Sequence, residues 1–325
     1  MSTFKFITHE NDDAYFNLAS EEYLLKQTDG YYFYLWINAP AVIVGINQNT
    51  AQEVNLAYTE AHGVKVVRRL TGGGAVYHDK GNLCYTIIAP YDEKVDNYRK
   101  FTAPVIEYLN TLGVKAEFSG RNDITVDGKK ISGNAQTVYG GKIMHHGTIL
   151  FSSDMDGLTR ALNPSKIKVE SKGIKSVRAR VTNVKDHLKT PIDIATFKKG
   201  LKDVFLKTCE EYTFTADDIE KINVLVNEKY SKYEWNIGRS PKGKNKFEHK
   251  FSFGIFTLTF DVEKGVIGNA EISGDFFERR SARELAEKLN GKAFLKEQVK
   301  IALKDAGDFI VGADGKEIAE KMFSE

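Results

Sequence analysis

Apolar and polar residues follow one another in patterns that predict both helices and strands in the first part of the chain. Apolar residues recur at helical intervals between Asp13 and Gln27, which predicts an early amphipathic helix. The runs Tyr31–Ile37 and Ala41–Gly45 are uniformly apolar and predict two adjacent buried strands. Similar helical spacing from Asn97 to Leu112, followed by a glycine, predicts a second helix.

The middle of the chain divides into a sheet region, a helical region and a polar connection. Alternating residues from Glu117 to Ser153 surround two hairpin signals, Asp127-Gly128 and Gly140-Gly141, and predict antiparallel sheet. Helical periodicity returns from Asp193 to Tyr230. The segment from Tyr233 to Lys246 is polar, basic and contains glycines, so we expect a linker there.

This linker predicts two domains, residues 1–245 and residues 246–325. A chain of 325 residues is also longer than one hydrophobic core usually extends. The second domain contains two predicted strands, FSFGIFTLTFDV and VIGNAEISGDFF, and then two amphipathic helices. It is therefore expected to be a small α+β unit, and the chain as a whole belongs to the α/β (α+β) class.

Composition excludes several classes of protein. The 46 basic and 44 acidic residues nearly cancel, so the chain lacks the basic excess typical of a nucleic-acid binder. Cys84 and Cys209 are far apart and no CxxC pair occurs, which favours a reducing compartment over a disulfide framework. Because no secretory leader and no run of about 18 apolar residues is found, we expect a cytoplasmic protein without membrane or nucleic-acid partners.

The most informative segment is RRLTGGGAVYHDKGN, from Arg68 to Asn82, in which three glycines lie between two apolar strands. Consecutive glycines allow backbone N–H groups to converge on a phosphate or carboxylate, while Arg68 or Arg69 supplies positive charge. A tight turn without function is the alternative. The spacing matches neither a Walker loop nor a dinucleotide-binding loop. His78, in the same segment, either contacts a pocket or forms a structural hydrogen bond.

A lysine pair on a predicted hairpin strand is the second candidate. In GRNDITVDGKKISGNAQ only one of Lys129 and Lys130 can face a pocket, because neighbouring side chains on a strand point to opposite faces. A pocket-facing lysine can stabilise the charge that develops when a carboxylate attacks the α-phosphate of ATP, whereas a solvated hairpin lysine is the alternative. Asn122 and Asp123 either position phosphates and a magnesium ion or cap a turn.

Four ordered motifs, RRLTGGGAVYHDKGN, GRNDITVDGKKISGNAQ, HHGTILF and KGIKSVRARVTN, closely resemble those of the lipoate-protein ligase family. The resemblance covers residues 1–245, and the later region looks like the accessory domain of these ligases. The motifs are shared with the wider superfamily of biotin ligases and octanoyltransferases, whereas the lysine before ISG and the C-terminal extension point to the ATP-using ligases. The resemblance implies a mixed-sheet catalytic domain related to biotin ligases and class II aminoacyl-tRNA synthetases.

The resemblance also implies an activity and the residues that carry it. The enzyme would activate lipoate, or octanoate, with magnesium-ATP to lipoyl-AMP and pyrophosphate, and would then transfer the lipoyl group to a carrier-protein lysine, as in lipoate salvage. Lys130 would be catalytic, Asp123 would bind magnesium, and the loop from Lys172 to Val181 would close over the adenylate. The residues expected at ATP or the adenylate are Arg69, Gly72, Gly73, Gly74, Ala75, Val76, Tyr77, Asn122, Asp123, Lys130 and Arg178. The residues expected at lipoate are Trp36, Arg69, His78, Lys130 and Gly133.

The expected partners are carrier proteins with a lipoyl domain, namely the acyltransferase subunits of 2-oxo acid dehydrogenases, and the glycine-cleavage H protein. Three alternatives stay open. An octanoyl or lipoyl transferase, or an amidotransferase, would form a thioester on a cysteine, for which Cys84 is the candidate nearest the motifs. The other two are a biotin-protein ligase and a carrier-binding protein without activity.

Overall fold

Strands from all parts of the chain form three sheets in this computed structural model, which describes residues 4–162, 180–238 and 244–323. Along the chain, residues 4–8 form the first strand, the two apolar runs form the second and third strands, and the strands of the predicted hairpins come later. The strands are β1 Phe4–Thr8, β2 Tyr31–Ile37, β3 Ala41–Val44, β4 Lys65–Arg68, β5 Val76–His78, β6 Asn82–Pro90, β7 Ala116–Ser119, β8 Asp123–Val126, β9 Lys129–Tyr139, β10 Lys142–Leu150, β11 Cys209–Tyr212, β12 Asn245–Phe251, β13 Gly254–Glu263 and β14 Val266–Gly274.

The largest sheet has eight strands in the order β11-β1-β2-β6-β10-β9-β8-β7. Strand β1 pairs in parallel with β2 and β11, and the remaining neighbours pair antiparallel. Both predicted hairpin turns contain residues with positive φ, as Asp127, Gly128, Gly140 and Gly141 do. The expectations of a mixed sheet and of antiparallel hairpins between residues 117 and 153 are confirmed.

The two early apolar runs lie in different sheets, so the prediction that they are adjacent strands is wrong. Strand β2 belongs to the large sheet, whereas β3 is the centre of a separate sheet, parallel to β4 and antiparallel to β5. Uniform apolarity indicates burial on both faces but does not identify the pairing partner. The consequence for the site is that β4 and β5, on either side of the three glycines, are both held against β3.

Helices cover the sheets and connect their strands. They are α1 Ala14–Lys26, α2 Thr50–Glu53, α3 Leu56–Ala61, α4 Asn97–Thr111, α5 Met155–Ala161, α6 Ile194–Phe205, α7 Ala216–Leu225, α8 Ala282–Glu287, α9 Lys296–Ala302, α10 Ala306–Phe309 and α11 Gly315–Met322, with a 3-10 turn at Val184–His187 and π-helical turns at Val226–Tyr230 and Glu234–Gly238. Among the helices within the described ranges, none combines the length and apolarity that crossing a bilayer requires.

The helical region predicted from Asp193 to Tyr230 is interrupted by β11, which adds a parallel strand at the edge of the large sheet. The first helix, α1, has the predicted position and begins where the Asp13 side chain accepts a hydrogen bond from the Tyr15 N–H. It is not amphipathic, however, because the sheet packs on one side and α7 with the following π-helical turn covers the other. Its two central glutamates, Glu21 and Glu22, are therefore buried.

Alternate residues of the central strands enter two different apolar cores, one on each face of the large sheet. On β2, Leu35 belongs to the core with α4 and α6, whereas Trp36 belongs to the core with α1. On β6, Tyr85 belongs to the core with α4 and α6, and Cys84 belongs to the core with α1. This alternation places the side chains of Trp36 and Cys84 on the α1 face, beside the glycine segment.

The last part of the chain has a core of its own, formed by residues 247–322. The segment FSFGIFTLTFDV is divided by a turn at Ser252-Phe253, so β12, β13 and β14 replace the two predicted strands, and four short helices replace the two predicted ones. The expected α+β character is confirmed. Residues 234–238 of the predicted linker are helical, and β12 begins at Asn245, so the linker is shorter than expected. The domain boundary at residue 245 stays a prediction.

Candidate active site

A cavity of about 160 Å³ lies beside the three glycines and combines apolar walls with two cationic side chains. Residues from α1, from four strands of the large sheet (β2, β6, β9 and β10) and from both sides of the glycine segment meet there. The lining residues are Leu18, Trp36, Ile43, Arg69, Gly72, Gly73, Gly74, Ala75, Val76, His78, Cys84, Asn122, Lys130, Gly133, Asn134, Ala135, His146, Gly147, Thr148 and Phe277.

Two described residues that were predicted for the site, Tyr77 and Asp123, do not line this cavity. Tyr77 points the other way on β5 and packs in the small core around Val42 and Leu158. Asp123 does not line the cavity itself, but its carboxylate contacts the ammonium of Lys130, which does. Arg178 lies outside the described residues, as does most of the basic loop that was expected to close over the adenylate.

Arg69 holds the glycine segment by hydrogen bonds to backbone carbonyl groups. Its Nη2 donates to the Gly72 carbonyl at 2.6 Å and to the Gly74 carbonyl at 2.9 Å. Its Nη1 donates to Ile43 at 3.1 Å, and its Nε to the Thr71 hydroxyl at 2.9 Å. Burial lowers the pKa of Arg69 to about 10, which leaves it cationic at neutral pH.

Glycine is required at two positions for different reasons: at Gly73 because of its backbone conformation, and at Gly45 because the glycine segment lies too close for a side chain. Gly73 has a φ of 91°, which favours glycine. A Cβ at Gly45 would lie 2.1 Å from the Gly73 carbonyl oxygen, so the segment passes directly over β3. The Gly73 N–H donates to the Phe276 carbonyl at 3.2 Å. The Gly73 N–H is therefore bonded to the C-terminal part of the chain in this structure, and its expected contact with an anion stays a prediction.

Arg68, the other candidate cation, is structural. Its side chain is fully buried, and its Nη1 donates to the carbonyl groups of Gly45 at 2.8 Å and Gln48 at 2.7 Å, while its Nε donates to Trp235 at 2.9 Å. These bonds join the loop after β3 to the π-helical turn Glu234–Gly238. Of the two arginines, Arg69 is therefore the one that reaches the cavity.

Lys130 points into the cavity, and the neighbouring Lys129 is exposed to solvent. The Lys130 ammonium lies 2.7 Å from Asp123 Oδ1. A Cβ at Gly133 would lie 2.5 Å from Lys130 Nζ, so the glycine makes room for the lysine side chain. Both backbone groups of Lys130 bond to the segment after the basic loop, because the N–H donates to the Arg180 carbonyl at 2.8 Å and the carbonyl accepts from the Thr182 N–H at 3.0 Å.

Among the described residues, Asp123 is the carboxylate that contacts the cavity-lining Lys130, so it is the candidate protein ligand for magnesium. Within residues 4–162, 180–238 and 244–323, no group of three or more histidine, cysteine, aspartate or glutamate side chains could hold a metal. Magnesium commonly takes one or two protein carboxylates and completes its shell with water and substrate phosphates. One carboxylate beside the cavity therefore fits a magnesium ion that arrives with ATP better than a resident ion.

His78 and Cys84 are neighbours in the cavity wall, with Cys84 Sγ 3.5 Å from His78 Nδ1. Burial, together with the positive charge of Arg69, lowers the pKa of His78 to about 3, so the ring is neutral and can accept from the Asn38 side chain at 3.1 Å. Burial raises the pKa of the Cys84 thiol well above its usual value. A neutral thiol in this position is a poor nucleophile.

Several lining residues were missed by sequence reasoning. His146 lies in the motif HHGTILF without a predicted role, and the rings of His145 and His146 point to opposite faces of β10, His145 towards Phe101 and His146 towards Glu21. Leu18 was recognised only as an apolar helix position. Phe277 follows the cavity-forming motifs by more than a hundred residues, and no sequence signal connects it with them.

Family models match both parts of the chain. Residues 13–206 match the lipoyl protein ligase A/B catalytic domain, and residues 240–322 match the bacterial lipoate protein ligase C-terminus. Lipoate–protein ligase 1 of Staphylococcus aureus is 46% identical over 293 residues, which cover 88% of this chain and 89% of that protein. The chain belongs to the lipoate-protein ligase family. The lipoate-protein ligase LplJ of Bacillus subtilis is 44% identical over 298 residues, with 89% and 90% coverage.

Solved structures of other lipoate ligases share the fold. P. falciparum LipL1 in complex with lipoate superposes with a TM-score of 0.80 at 26% identity, covering 99% of this chain and 98% of that one. A lipoate-protein ligase A bound with ATP gives a TM-score of 0.63 at 28% identity, covering 73% and 99%. A bi-partite ligase from Thermoplasma acidophilum, solved in a study with its lipoyl domain, gives 0.66 at 28% identity, covering 75% and 100%.

Membership in the lipoate-protein ligase family decides between the alternatives that the sequence left open. This ligase has a C-terminal domain that matches the bacterial ligases along 83 residues, from 240 to 322. The transferase alternative needs an activated cysteine, whereas Cys84 is buried and its thiol pKa is raised. The enzyme is therefore an ATP-dependent lipoate-protein ligase, and the buried Cys84 does not favour a thioester-forming transferase.

Proposed function

We propose that this chain activates lipoate with ATP and transfers the lipoyl group to a lysine of a carrier protein. The observation that carries the proposal is that Arg69, Lys130 and the three glycines line one cavity together with the apolar side chains of Leu18, Trp36 and Ile43. Two cations beside an apolar wall suit a ligand with a carboxylate head and an aliphatic tail. A relative with lipoate bound and another with ATP bound share the fold, which supports both substrates.

In the first half-reaction a lipoate carboxylate oxygen attacks the α-phosphorus of ATP, and pyrophosphate leaves. We place the carboxylate near Lys130, whose ammonium can follow the negative charge as it moves to the α-phosphate oxygens. Its present partner, Asp123, is one third exposed, so the lysine can turn from the aspartate to the substrate at small cost. The proposed ATP contacts are Arg69, the glycine segment through Val76, and Asn122.

In the second half-reaction the amine of the carrier lysine attacks the acyl carbonyl of lipoyl-AMP, AMP leaves, and the nitrogen loses a proton. The proposed partners are the lipoyl domains of 2-oxo acid dehydrogenase acyltransferase subunits and the glycine-cleavage H protein. The archaeal relative studied with its lipoyl domain supports this class of partner. Magnesium is proposed as part of the ATP substrate, with Asp123 as its protein ligand. Arg178, which lies outside the described residues, and a cytoplasmic location both stay predictions.

Acid-dependent exchange of radiolabelled pyrophosphate into ATP tests the proposal, because it reports the first half-reaction alone. Lipoate, octanoate and biotin are compared as the acid. We expect exchange with lipoate and octanoate, and a loss of about 100-fold in Lys130→Ala, since such a group supplies about 3 kcal/mol in the transition state. The matched control is Lys129→Ala, on the same strand but solvent-exposed, which should exchange within about twofold of wild type.

Absence of exchange with every acid would overturn the adenylation proposal. Exchange with biotin alone would make the chain a biotin ligase. Equal exchange by the Lys130→Ala and Lys129→Ala variants would show that the cavity-facing lysine has no part in the chemistry.

A further inference from the structure

Glu21 is a buried carboxylate that lies behind the cavity and does not line it. It belongs to α1 and is 1% exposed. Its Oε1 accepts from the Thr86 hydroxyl at 2.6 Å and from His146 Nδ1 at 2.9 Å. The second oxygen is 3.1 Å from the same His146 nitrogen. A buried carboxylate is costly unless it is well hydrogen-bonded, and Thr86 and His146 supply those hydrogen bonds to Glu21.

One hydrogen-bonded chain leads from Glu21 to Arg69. His146 Nε2 lies 2.7 Å from the Thr71 hydroxyl, and Arg69 Nε lies 2.9 Å from the same hydroxyl. The directions of these bonds follow from chemistry, because a guanidinium nitrogen can only donate. Thr71 accepts from Arg69, and with the His146 proton on Nδ1, the nitrogen that faces the Glu21 carboxylate, the Thr71 hydroxyl donates to His146 Nε2.

A second chain leads from Glu21 to Trp36. The indole Nε1 of Trp36 donates to the Thr86 hydroxyl at 3.0 Å. An indole N–H cannot accept, so the Thr86 hydroxyl proton points to Glu21. Both chains therefore end on acceptor oxygens of one carboxylate, and each begins at a side chain that lines the cavity, Arg69 or Trp36.

The charge of Glu21 also matters to Arg69. Arg69 is 6% exposed as a residue, and the four hydrogen bonds of its guanidinium described above all go to uncharged oxygens. Burial lowers its pKa, and the negative charge of Glu21 acts in the opposite direction. The carboxylate thus supports a buried cation that it does not touch, across one histidine and one threonine.

We propose that Glu21 is a positioning residue of the ligase site. Through Thr86 it sets the plane of the Trp36 indole, and through His146 and Thr71 it sets the orientation of the Arg69 guanidinium that holds the glycine segment. This inference rests on the proposed function. It predicts that breaking either chain weakens the acid-dependent reaction without removing any group that touches the substrate in the proposed mechanism.

The adjacent glutamate provides a matched control. Glu22 has the same chemistry on the same helix and is also buried, at 6% exposure. Its carboxylate is bound by Lys26 at 3.0 Å, Lys229 at 2.6 Å and Tyr230 at 2.7 Å, none of which lines the cavity. A purely structural role for a buried glutamate of α1 therefore predicts equal effects at the two positions.

The experiment compares Glu21→Gln with Glu22→Gln in the pyrophosphate exchange assay, at varied lipoate and at varied ATP. We expect Glu21→Gln to raise the KM for lipoate, or to lower kcat/KM for it, by about 10- to 100-fold, which corresponds to losing a hydrogen bond to a charged group. Glu22→Gln should change neither quantity by more than about twofold, while both variants lower the melting temperature. Equal kinetic constants in Glu21→Gln and Glu22→Gln would overturn the inference.

Isosteric changes within the chains keep the test valid if Glu21→Gln folds poorly. Thr71→Val interrupts the chain to Arg69 and should reduce exchange, whereas Thr71→Ser keeps the hydroxyl and should restore it. The effects of Thr71→Val and Glu21→Gln should be less than multiplicative in the double variant, because they break the same chain. Multiplicative effects, or activity in Thr71→Val equal to wild type, would refute a linked chain.

The two proposals fail in different ways. If the wild-type chain shows no exchange with any acid, the adenylation proposal fails. If wild type exchanges but Glu21→Gln and Thr71→Val match it, only the positioning role of Glu21 fails.

Discussion

Replacing Gly45 with alanine tests whether contact with β3 sets the position of the glycine segment. A Cβ at this position would lie 2.1 Å from the Gly73 carbonyl oxygen and 3.3 Å from Arg69 Nη2, whereas ordinary contact begins at 3.4 Å. The φ of Gly45 is outside the left-handed region, so alanine is excluded by its side chain and not by its backbone conformation. The obstacle is a backbone carbonyl, which cannot rotate away as the end of a flexible side chain can.

The size of the effect follows from these distances. The Gly73 carbonyl must retreat by about 1.3 Å to reach ordinary contact. A similar shift of its neighbours would lengthen the Arg69 bonds to Gly72 and Gly74, now 2.6 and 2.9 Å, beyond hydrogen-bond range. Overpacking of this kind costs about 1–3 kcal/mol of stability. A displacement of about 1 Å at a catalytic group can cost about 100-fold in rate.

The assay pairs thermal unfolding with lipoate-dependent pyrophosphate exchange. We expect Gly45→Ala to lower the melting temperature by several degrees and to reduce exchange by about 100-fold. Gly268→Ala is the control, because a Cβ at Gly268 meets no atom within 4 Å and its φ is also outside the left-handed region. If Gly45→Ala retained both the wild-type melting temperature and wild-type exchange, the contact would not determine the position of the segment.

Two further predictions concern buried titratable groups. Burial lowers the pKa of His78 and His145 to about 3 from 6.5, so between these values the unfolded chain binds protons that the folded chain does not. The free energy of unfolding should therefore be at its full value above about pH 6.5 and should fall as the pH is lowered towards 3. A melting temperature that stays unchanged between about pH 7 and pH 5 would contradict this. Burial also raises the pKa of the Cys84 thiol, so a thiol-alkylating reagent should modify the less buried Cys209 first and Cys84 only on unfolding, as peptide mass spectrometry would show. Rapid modification of Cys84 in the folded chain would instead reopen the thioester alternative.

The local pattern of residues was sufficient to predict those elements whose interaction partners lie close in sequence. The hairpin at Asp127-Gly128 follows from residues that tolerate positive φ, and its register places Lys130 on the inner face and Lys129 outside. The helix at Asn97–Thr111 follows from apolar spacing. In these cases the determining interactions are short-range, so the sequence states them directly.

Patterns failed where long-range pairing competes with local preference. Strands β2 and β3 are equally apolar, yet they belong to different sheets. Strand β11 interrupts a region of helical periodicity because the edge of β1 provides a parallel partner there. The apolar spacing of α1 indicated one polar face, but Glu21 is buried against Thr86 and His146 of the large sheet, and Glu22 is buried against Tyr230 of the π-helical turn. Tertiary partners overrode the local signal in each case.

By itself, the sequence determined the chemistry: a glycine segment preceded by arginines, a lysine after a hairpin, and an apolar strand that carries Trp36. The tertiary structure decided which of these groups act together. It turned Arg68 inward to carbonyl groups and left Arg69 at the cavity, and it brought Phe277 of the C-terminal part to the same cavity. It also connected Trp36 and Arg69 to one buried carboxylate. Hydrogen-bond partners depend on positions in space, and residues far apart in sequence share no local pattern that could reveal their contact.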